Sequence, residues 1–359
     1  MPEIKGKTVV VGMSGGVDSS VAAWLLKEQG YHVIGVTMQL QGCDVKPAEP
    51  GSCCGADASR DARRVAQMLD IPFYVMNFQK EFREHVIYYF VREYRLGRTP
   101  NPCIACNRYI KWEALLHRSR EIGADYIATG HYARVVKRDN GRYAVAVSAT
   151  GQKDQSYALY NLTQEQLSHT LLPVGDYTKP QIREIAAELG LSVAGKPDSQ
   201  EICFVPDNDY AGFIEKEIGC KEMPGNFVTP DGKILGQHKG ISHYTIGQRK
   251  GLNLAMGHPV FVTGIRPDTR EVVIGEEKDV FSDCLTACRM NYMGQEHFEP
   301  GQEFLAKIRY SHRGERCVIE SVGEGRVAVR FLGQVRAVTP GQAVVFYQDN
   351  AVMGGGVIC

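Results

Sequence analysis

The 359-residue chain contains no run approaching the ~18 consecutive apolar residues that a membrane helix needs, so no membrane partner is expected. It also lacks an excess of either charge. Lys+Arg and Asp+Glu number 41 each, and a polyanion would have to be met by a local patch rather than by the field of the whole molecule. No internal repeat and no low-complexity tract interrupts it. The opening residues, Met1 to Lys7, carry no apolar h-region and no small-residue cleavage site, which makes the cytoplasm the expected compartment. Eleven cysteines are an odd number, in a chain too long to depend on disulfide staples. In a reducing compartment such thiols are read first as apolar fillers, metal ligands or catalytic groups. What is present is a globular composition, 43% apolar and 23% charged. At about 150 residues per domain the length suggests two to three domains.

The first half alternates β-branched runs with helical patterns. Thr8–Gly12, His32–Met38, Phe73–Phe78 and Ala124–Thr129 read as strands, and Ser19–Gln29, a helix near Ala58–Leu69, Gln79–Leu96 and Asn107–Ile122 as helices. Such alternation predicts an α/β fold, a doubly wound parallel sheet covered on both faces. A hairpin is expected from Ala133 to Val147, turning at Asn140-Gly141 in type I′ geometry. After about residue 205 short Val/Thr/Gly-rich strands take over, and over roughly the last 80 residues their spacing suggests a β-barrel or a sandwich, of which the barrel is the expectation. The expected domains are 1–205, a small central linking domain 206–275, and the barrel 276–359.

Between the first strand and first helix stands Gly12-Met13-Ser14-Gly15-Gly16-Val17-Asp18-Ser19. Glycines let such a turn aim successive amides at an anion, at the positive end of the following helix dipole. No Gly-Lys-Ser/Thr ends it and it is not G-x-G-x-x-G, so it is neither a Walker A loop nor a dinucleotide fingerprint. The Ser14 and Ser19 hydroxyls can add hydrogen bonds, and Asp18 can approach Mg²⁺ directly or through water. The loop SGGVDS resembles the pyrophosphatase loop of the PP-loop ATPases (adenine nucleotide alpha hydrolase-like), which cleave ATP between the α- and β-phosphates.

A second cluster, Asn101-Pro102-Cys103-Ile104-Ala105-Cys106, precedes the helix expected from Asn107 and puts two thiols near a helix N-terminus, where a thiolate is stabilised. One C-x-x-C is ambiguous; no second pair at suitable spacing supports structural zinc. Cys203, in Asp198-Ser-Gln-Glu-Ile-Cys203-Phe204, would by itself be read as a small buried hydrophobe. Cys53 and Cys54 receive no role.

TPNPCIACN, TGHYAR from Thr129, KDQSYALY from Lys153, DSQEICF from Asp198, HKGISHYTIGQRKGL from His238 and IRYSH from Ile308 occur in the order seen in the tRNA-specific 2-thiouridylase (MnmA) family, which the chain resembles from Gly12 to near its C-terminus. The resemblance implies ATP, with Mg²⁺, bound at Gly12 to Ser19, Met38 and Gly130. It implies AMP transfer to the C2 oxygen of a wobble uridine, a persulfide on Cys203, and Cys106 completing the exchange through a disulfide that an external reductant resets. It further implies that Asn101, Pro102 and Cys103 touch the target base, and that Lys153, Asp154, Gln155, Arg309 and Tyr310 touch tRNA. The implied partners are tRNAs reading Lys, Glu and Gln codons, met at the anticodon arm, and a sulfur-donor protein, either a cysteine desulfurase or a sulfur relay protein. Some family members have Asp where this chain has Cys103, and a thiol does not inherit a carboxylate's acid/base role. That substitution leaves Cys103, Cys106 and Cys203 as a possible [4Fe-4S] ligand set, ranked below the persulfide relay.

From Arg83 to Arg120 eight basic residues face three acidic ones, with Tyr88, Tyr89, Tyr94, Tyr109 and Trp112 interleaved. Composition alone describes a solvated helix face with its tyrosines buried. The flanking cysteine loop turns the expectation toward RNA phosphates and base stacking. His131 is expected to be a packed, hydrogen-bonded residue.

Overall fold

The structure is a computed structural model and describes residues 6–41, 56–197, 202–205 and 207–359. The expectations for Cys53, Cys54 and the segment 198–201 fall outside these residues. Among the described residues no helix is long and apolar enough to cross a membrane.

Strand β1 (Thr8–Gly12) buries Val9, Val10 and Val11 completely, as an all-apolar β-branched run must when both faces of its sheet are covered. Helix α1 (Val17–Glu28) follows, then β2 (His32–Gln39), α2 (Ala56–Met68), β3 (Phe73–Asn77) and β4 (Tyr126–Ala128). The hairpin β5 (Ala133–Lys137) and β6 (Tyr143–Val147) precedes β7 (Thr170–Leu171). The first sheet is parallel throughout, in the order β3-β2-β1-β4-β7, with Val10 level with Ile34 on one side and Ile127 on the other. The chain reverses its direction of winding at β1, and such a switch point opens a crevice at the carboxyl ends of β1 and β4. The loop Gly12–Ser19 and the Thr129-Gly130 turn are there.

Two expectations about local structure are corrected. The hairpin turn is not type I′: Gly141 has φ +83° but Asn140 does not reach positive φ, and Gly141 N–H donates to the Arg138 carbonyl. That is a type I turn closed by a glycine, the form a longer connection takes. The helix expected from Asn107 begins at Pro102, running through 102–121 as Pro102–Ala105, a wide π stretch Cys106–Ala114 and Leu115–Glu121. Asn101 caps it, its Oδ1 accepting from the Cys103 and Ile104 amides at 3.1 and 3.3 Å, and proline suits the first turn because no N–H is needed there.

Strands β8 (Gly225–Val228), β9 (Ile234–His238), β10 (Phe261–Arg266) and β11 (Glu271–Gly275) form a separate four-stranded sheet in the order β10-β11-β8-β9. The last strands are β12 (Phe281–Tyr292), β13 (Glu303–Lys307), β14 (Glu315–Gly323), β15 (Arg326–Arg336), β16 (Ala343–Gln348) and β17 (Ala351–Ile358). Pairing of β12 with β17 closes these six into a barrel around Phe298, Phe304 and Phe346. The hairpin β5–β6, expected within the nucleotide domain, extends the barrel sheet instead, Ala146 pairing with Ala351. The sulfurs of Cys288 and Cys359, which sequence reading did not pair, are in bonding contact, their Cα atoms 6.2 Å apart.

Candidate active site

Gly15 has φ +69°, and a Cβ there would stand 2.2 Å from the Ala58 carbonyl oxygen, so both the turn and the packing demand glycine. The loop closes on itself. Ser14 N–H donates to Ser19 Oγ at 3.2 Å, and the Ser19 and Ser20 hydroxyls donate to the Gly16 carbonyl at 3.2 and 2.9 Å. Helix α1 starts at the Gly16 cap with no side-chain capping bond. Its first-turn amides, which have no partner within the helix, are therefore left to an anion, and a nucleotide phosphate fits this cradle. Gly130 packs on the same loop: a Cβ there would be 2.7 Å from Asp18 C and Ser19 N. Met13 differs from its neighbours, because its N–H donates to Val36 O and its carbonyl accepts from Thr37 Oγ1, both at 2.8 Å, and its side chain is buried. Val17 is buried too, leaving its backbone to serve a ligand, while Met38 is half-buried near the end of β2.

The acidic residue of the loop has company that the sequence did not announce. Lys179 Nζ lies 2.7 Å from both Asp18 carboxylate oxygens, and Tyr132 Oη donates to Asp18 Oδ1 at 2.6 Å. Lys196 Nζ donates to the Gly15 carbonyl. Neither lysine stands in a pattern that periodicity or spacing would single out. The tertiary fold brings them in from 161 and 181 positions away.

Cys103 is exposed, while Cys106 and Cys203 are half-buried. Cys106 and Cys203, 97 positions apart in sequence, pack against the same apolar cluster, which contains Phe82, Phe90 and Phe204. Phe204 holds the Cys203 segment there through edge-on contacts with Phe82 and Phe90 at 5.7 and 5.3 Å. No three His, Cys, Asp or Glu side chains among the described residues form a group able to hold a metal ion.

Of the expected RNA contacts, Lys153 (φ +52°) and Tyr310 are exposed and Pro102 is buried. Asp154 faces inward: its carboxylate accepts from the Ser148 and Ser156 amides and the Ser156 hydroxyl, and it lies 3.7 Å from Lys307. Gln155 exchanges hydrogen bonds with the Tyr132 backbone. Both therefore shape the loop that presents Lys153. Arg309 donates to the Arg336 carbonyl at 2.8 Å; burial and then the Arg336 charge lower its pKa. In the basic stretch Trp112 and Tyr94 are core residues, Trp112 donating to Thr170 Oγ1, and offer no base-stacking face; Tyr88 is exposed. Five of its cations are spent on acids: Arg83 on Glu217, Arg118 on Glu81, Arg120 on Glu165, and Arg92 and Arg98 on Glu93. Arg95, Arg108 and Lys111 make no ion pair among the described residues. His131 Nδ1 is 2.7 Å from Thr129 Oγ1, and burial, then Lys111, push its pKa well below the ordinary histidine value.

Residues 7–207 match a family model described as tRNA methyl transferase HUP domain, 211–276 one described as tRNA methyl transferase PRC-barrel domain, and 282–358 one described as aminomethyltransferase beta-barrel domain. A tRNA-specific 2-thiouridylase MnmA of Lachnoclostridium phytofermentans is 65% identical over 98% of this chain and 99% of its own length. The chain belongs to the tRNA-specific 2-thiouridylase family. Relatives of the same name from Clostridium perfringens and Clostridium acetobutylicum are 57% and 54% identical, each over 98% of this chain. Among solved structures, the U34-tRNA thiolase NcsA from Methanococcus maripaludis with its [4Fe-4S] cluster aligns at TM-score 0.35 and 19% identity over 59% of this chain and 68% of that one, too low to carry an argument. In this 2-thiouridylase-family chain the phosphate cradle and the cysteine-bearing segments are both assembled on the parallel-sheet unit.

Proposed function

We propose that the chain is an ATP-dependent tRNA-uridine 2-sulfurtransferase acting on the wobble uridine of tRNAs for Lys, Glu and Gln. The full-length likeness to relatives named tRNA-specific 2-thiouridylase carries this reading. The C2 oxygen of uridine is a poor leaving group. The loop Gly12–Ser19, with Met38 and Gly130, holds ATP as a substrate; the uridine oxygen attacks the α-phosphate, pyrophosphate leaves, and the oxygen becomes part of an adenylate. Asp18 would hold Mg²⁺, which would screen the phosphate charge. Cys203 takes up a persulfide from a sulfur-donor protein, its terminal sulfur attacks C2, and AMP departs. Cys106 attacks the Cys203 sulfur, forming a disulfide that an external dithiol reduces. Asn101 Oδ1 is occupied by the helix cap, so its amide nitrogen is the atom left for the base.

The deciding experiment incubates the protein with Mg-ATP, a persulfide-bearing sulfur-donor protein, a dithiol reductant and unmodified tRNA and looks by mass for oxygen-to-sulfur exchange in the anticodon nucleoside. Cys106→Ser and Cys203→Ser should abolish exchange while pyrophosphate release with tRNA persists. Intact thiolation in both variants would eliminate the relay. Stoichiometric iron in anaerobically purified protein, with activity that depends on it, would favour the cluster reading instead.

A further inference from the structure

We propose that Cys288 and Cys359 form a second thiol-disulfide site, separate from Cys106 and Cys203, whose oxidation by a small-molecule disulfide staples the barrel seam and orders the segment 98–103. Oxidation there does not depend on the sulfur-transfer chemistry, so the site stands or falls without it. The placement of the two cysteines and the contacts of their neighbours carry the proposal.

Cys288 stands in β12 and Cys359 directly after β17, the two strands whose pairing closes the barrel. Their Cα atoms are 6.2 Å apart, inside the range of about 4.4–6.8 Å that a disulfide spans. Cys359 is exposed and Cys288 half-buried, so a small reagent can reach them. Cys317, by contrast, lies in the barrel core with its thiol pushed up to about 12 by burial, and is inert. In a reducing compartment an accessible pair of this kind closes transiently, as redox-sensing disulfides do. The neighbours of both cysteines reach one short segment of the helical half. Ile358, beside Cys359, donates its N–H to the Gln342 carbonyl at 2.8 Å and accepts from the Gly341 N–H at 2.9 Å. That same turn holds Thr99, whose N–H donates to the Pro340 carbonyl at 2.9 Å and whose carbonyl accepts from Gln342 Nε2 at 3.0 Å. A Cβ on Gly341 would stand 3.0 Å from Arg98 Cβ and Thr99 N, which leaves no slack between turn and segment. On the other side, Cys288 borders a bulge in the β12–β17 ladder where Arg289, at φ +52°, lies 3.9 Å from the Glu93 carboxylate that also pairs with Arg98. Arg98 and Thr99 are thus gripped from both sides of the seam, just ahead of the Asn101 cap. A bond between residues 71 positions apart fixes the seam, and the segment loses freedom with it. In the chemical step the Cys359 thiolate attacks one sulfur of a small disulfide such as glutathione disulfide and expels a thiolate. Cys288 then attacks the Cys359 sulfur of the mixed disulfide and expels the second. Two protein thiols lose two electrons, the small disulfide gains them, and both protons leave on the two small thiols.

The test uses the full-length chain carrying Cys106→Ser and Cys203→Ser, which keeps the sulfur-transfer pair out of the redox measurement. The protein is equilibrated in glutathione buffers from fully reduced to fully oxidised, quenched in acid, alkylated and digested. Peptide masses should show Cys288 linked to Cys359 in the oxidised samples and both alkylated in the reduced ones. Hydrogen exchange at the Arg98, Thr99 and Cys103 amides should be about threefold or more slower in the oxidised protein, because local opening of the segment then has to strain a covalent seam. Adding Cys288→Ser to the same background should abolish both the linked peptide and the redox dependence of exchange. Should that variant fail to fold, Cys359→Ser, at an exposed position, supplies the same control. Glutathione adducts without a linked peptide overturn the proposal, as does equal exchange at 98–103 in the two states. A redox response at 98–103 that persists in the serine variant assigns it to another thiol and overturns the proposal as well.

Discussion

Lys196 Nζ lies 3.1 Å from the Gly15 carbonyl oxygen and 3.1 Å from Asp61 Oδ2. One ammonium thus ties the phosphate loop and α2 to the backbone seven residues before Cys203. Nothing local in the sequence connects these segments.

Lys196→Met should cut the thiolation rate about tenfold, equivalent to about 1.4 kcal/mol, while leaving Mg-AMP binding near the wild-type level. Hydrogen exchange at residues 202–205 should rise in parallel. Unchanged exchange together with an unchanged rate would show that the tether does not position the cysteine segment.

The glycines of the crevice form an internal control series. A Cβ on Gly12 meets nothing nearer than 3.8 Å, so Gly12→Ala should be tolerated. On Gly130 the added carbon collides with the Asp18–Ser19 backbone, and Gly130→Ala should weaken Mg-ATP binding at least tenfold with little loss of global stability. Isothermal titration of the two variants separates the cases, and equal affinities would refute the close-packing argument.

Glu93 is 1% exposed and meets Arg92, Arg98 and, at 3.9 Å, Arg289 of the barrel strand β12. Glu93→Gln leaves three guanidinium groups facing one another without a counter-charge. A loss of about 2–4 kcal/mol is expected, lowered for the half-exposed arginines below the cost of breaking a fully buried pair. Denaturant midpoints with an unchanged slope would register it, and a variant as stable as wild type would remove Glu93 as the brace between helix and barrel.

The His131 pKa is lowered in the folded protein, chiefly by burial. The unfolded chain therefore binds a proton first as pH falls, near the ordinary value of about 6.5, and stability declines below that point toward the folded pKa, by at most about 1.4 kcal/mol per pH unit for this group. Above pH 6.5 the group contributes no pH dependence. His131→Asn should flatten the stability difference between pH 7.5 and 5.5; an unaltered difference would assign the acid sensitivity to His238 and His312, which burial also pushes down.

Strand-to-helix placement of SGGVDS, the parallel sheet and the all-β C-terminal region were legible because each depends on short-range rules: β-branched runs, a glycine turn and periodicity. The errors had local causes as well. Asn101 at the cap and Pro102 in the first turn are start signals that place the helix ahead of Asn107, and one glycine in a turn does not make it type I′. Lys179, Lys196 and Tyr132 at the phosphate loop were not legible, and neither was the inward turn of Asp154 or the transfer of β5–β6 to the barrel sheet. Those depend on contacts between segments scores of positions apart, and residue type carries no record of which distant group will neutralise a buried charge. The sequence by itself determined the elements and the kind of chemistry they hold. The tertiary structure alone decided which cations stand beside the phosphate loop, because only folding makes burial force every charge to find a partner.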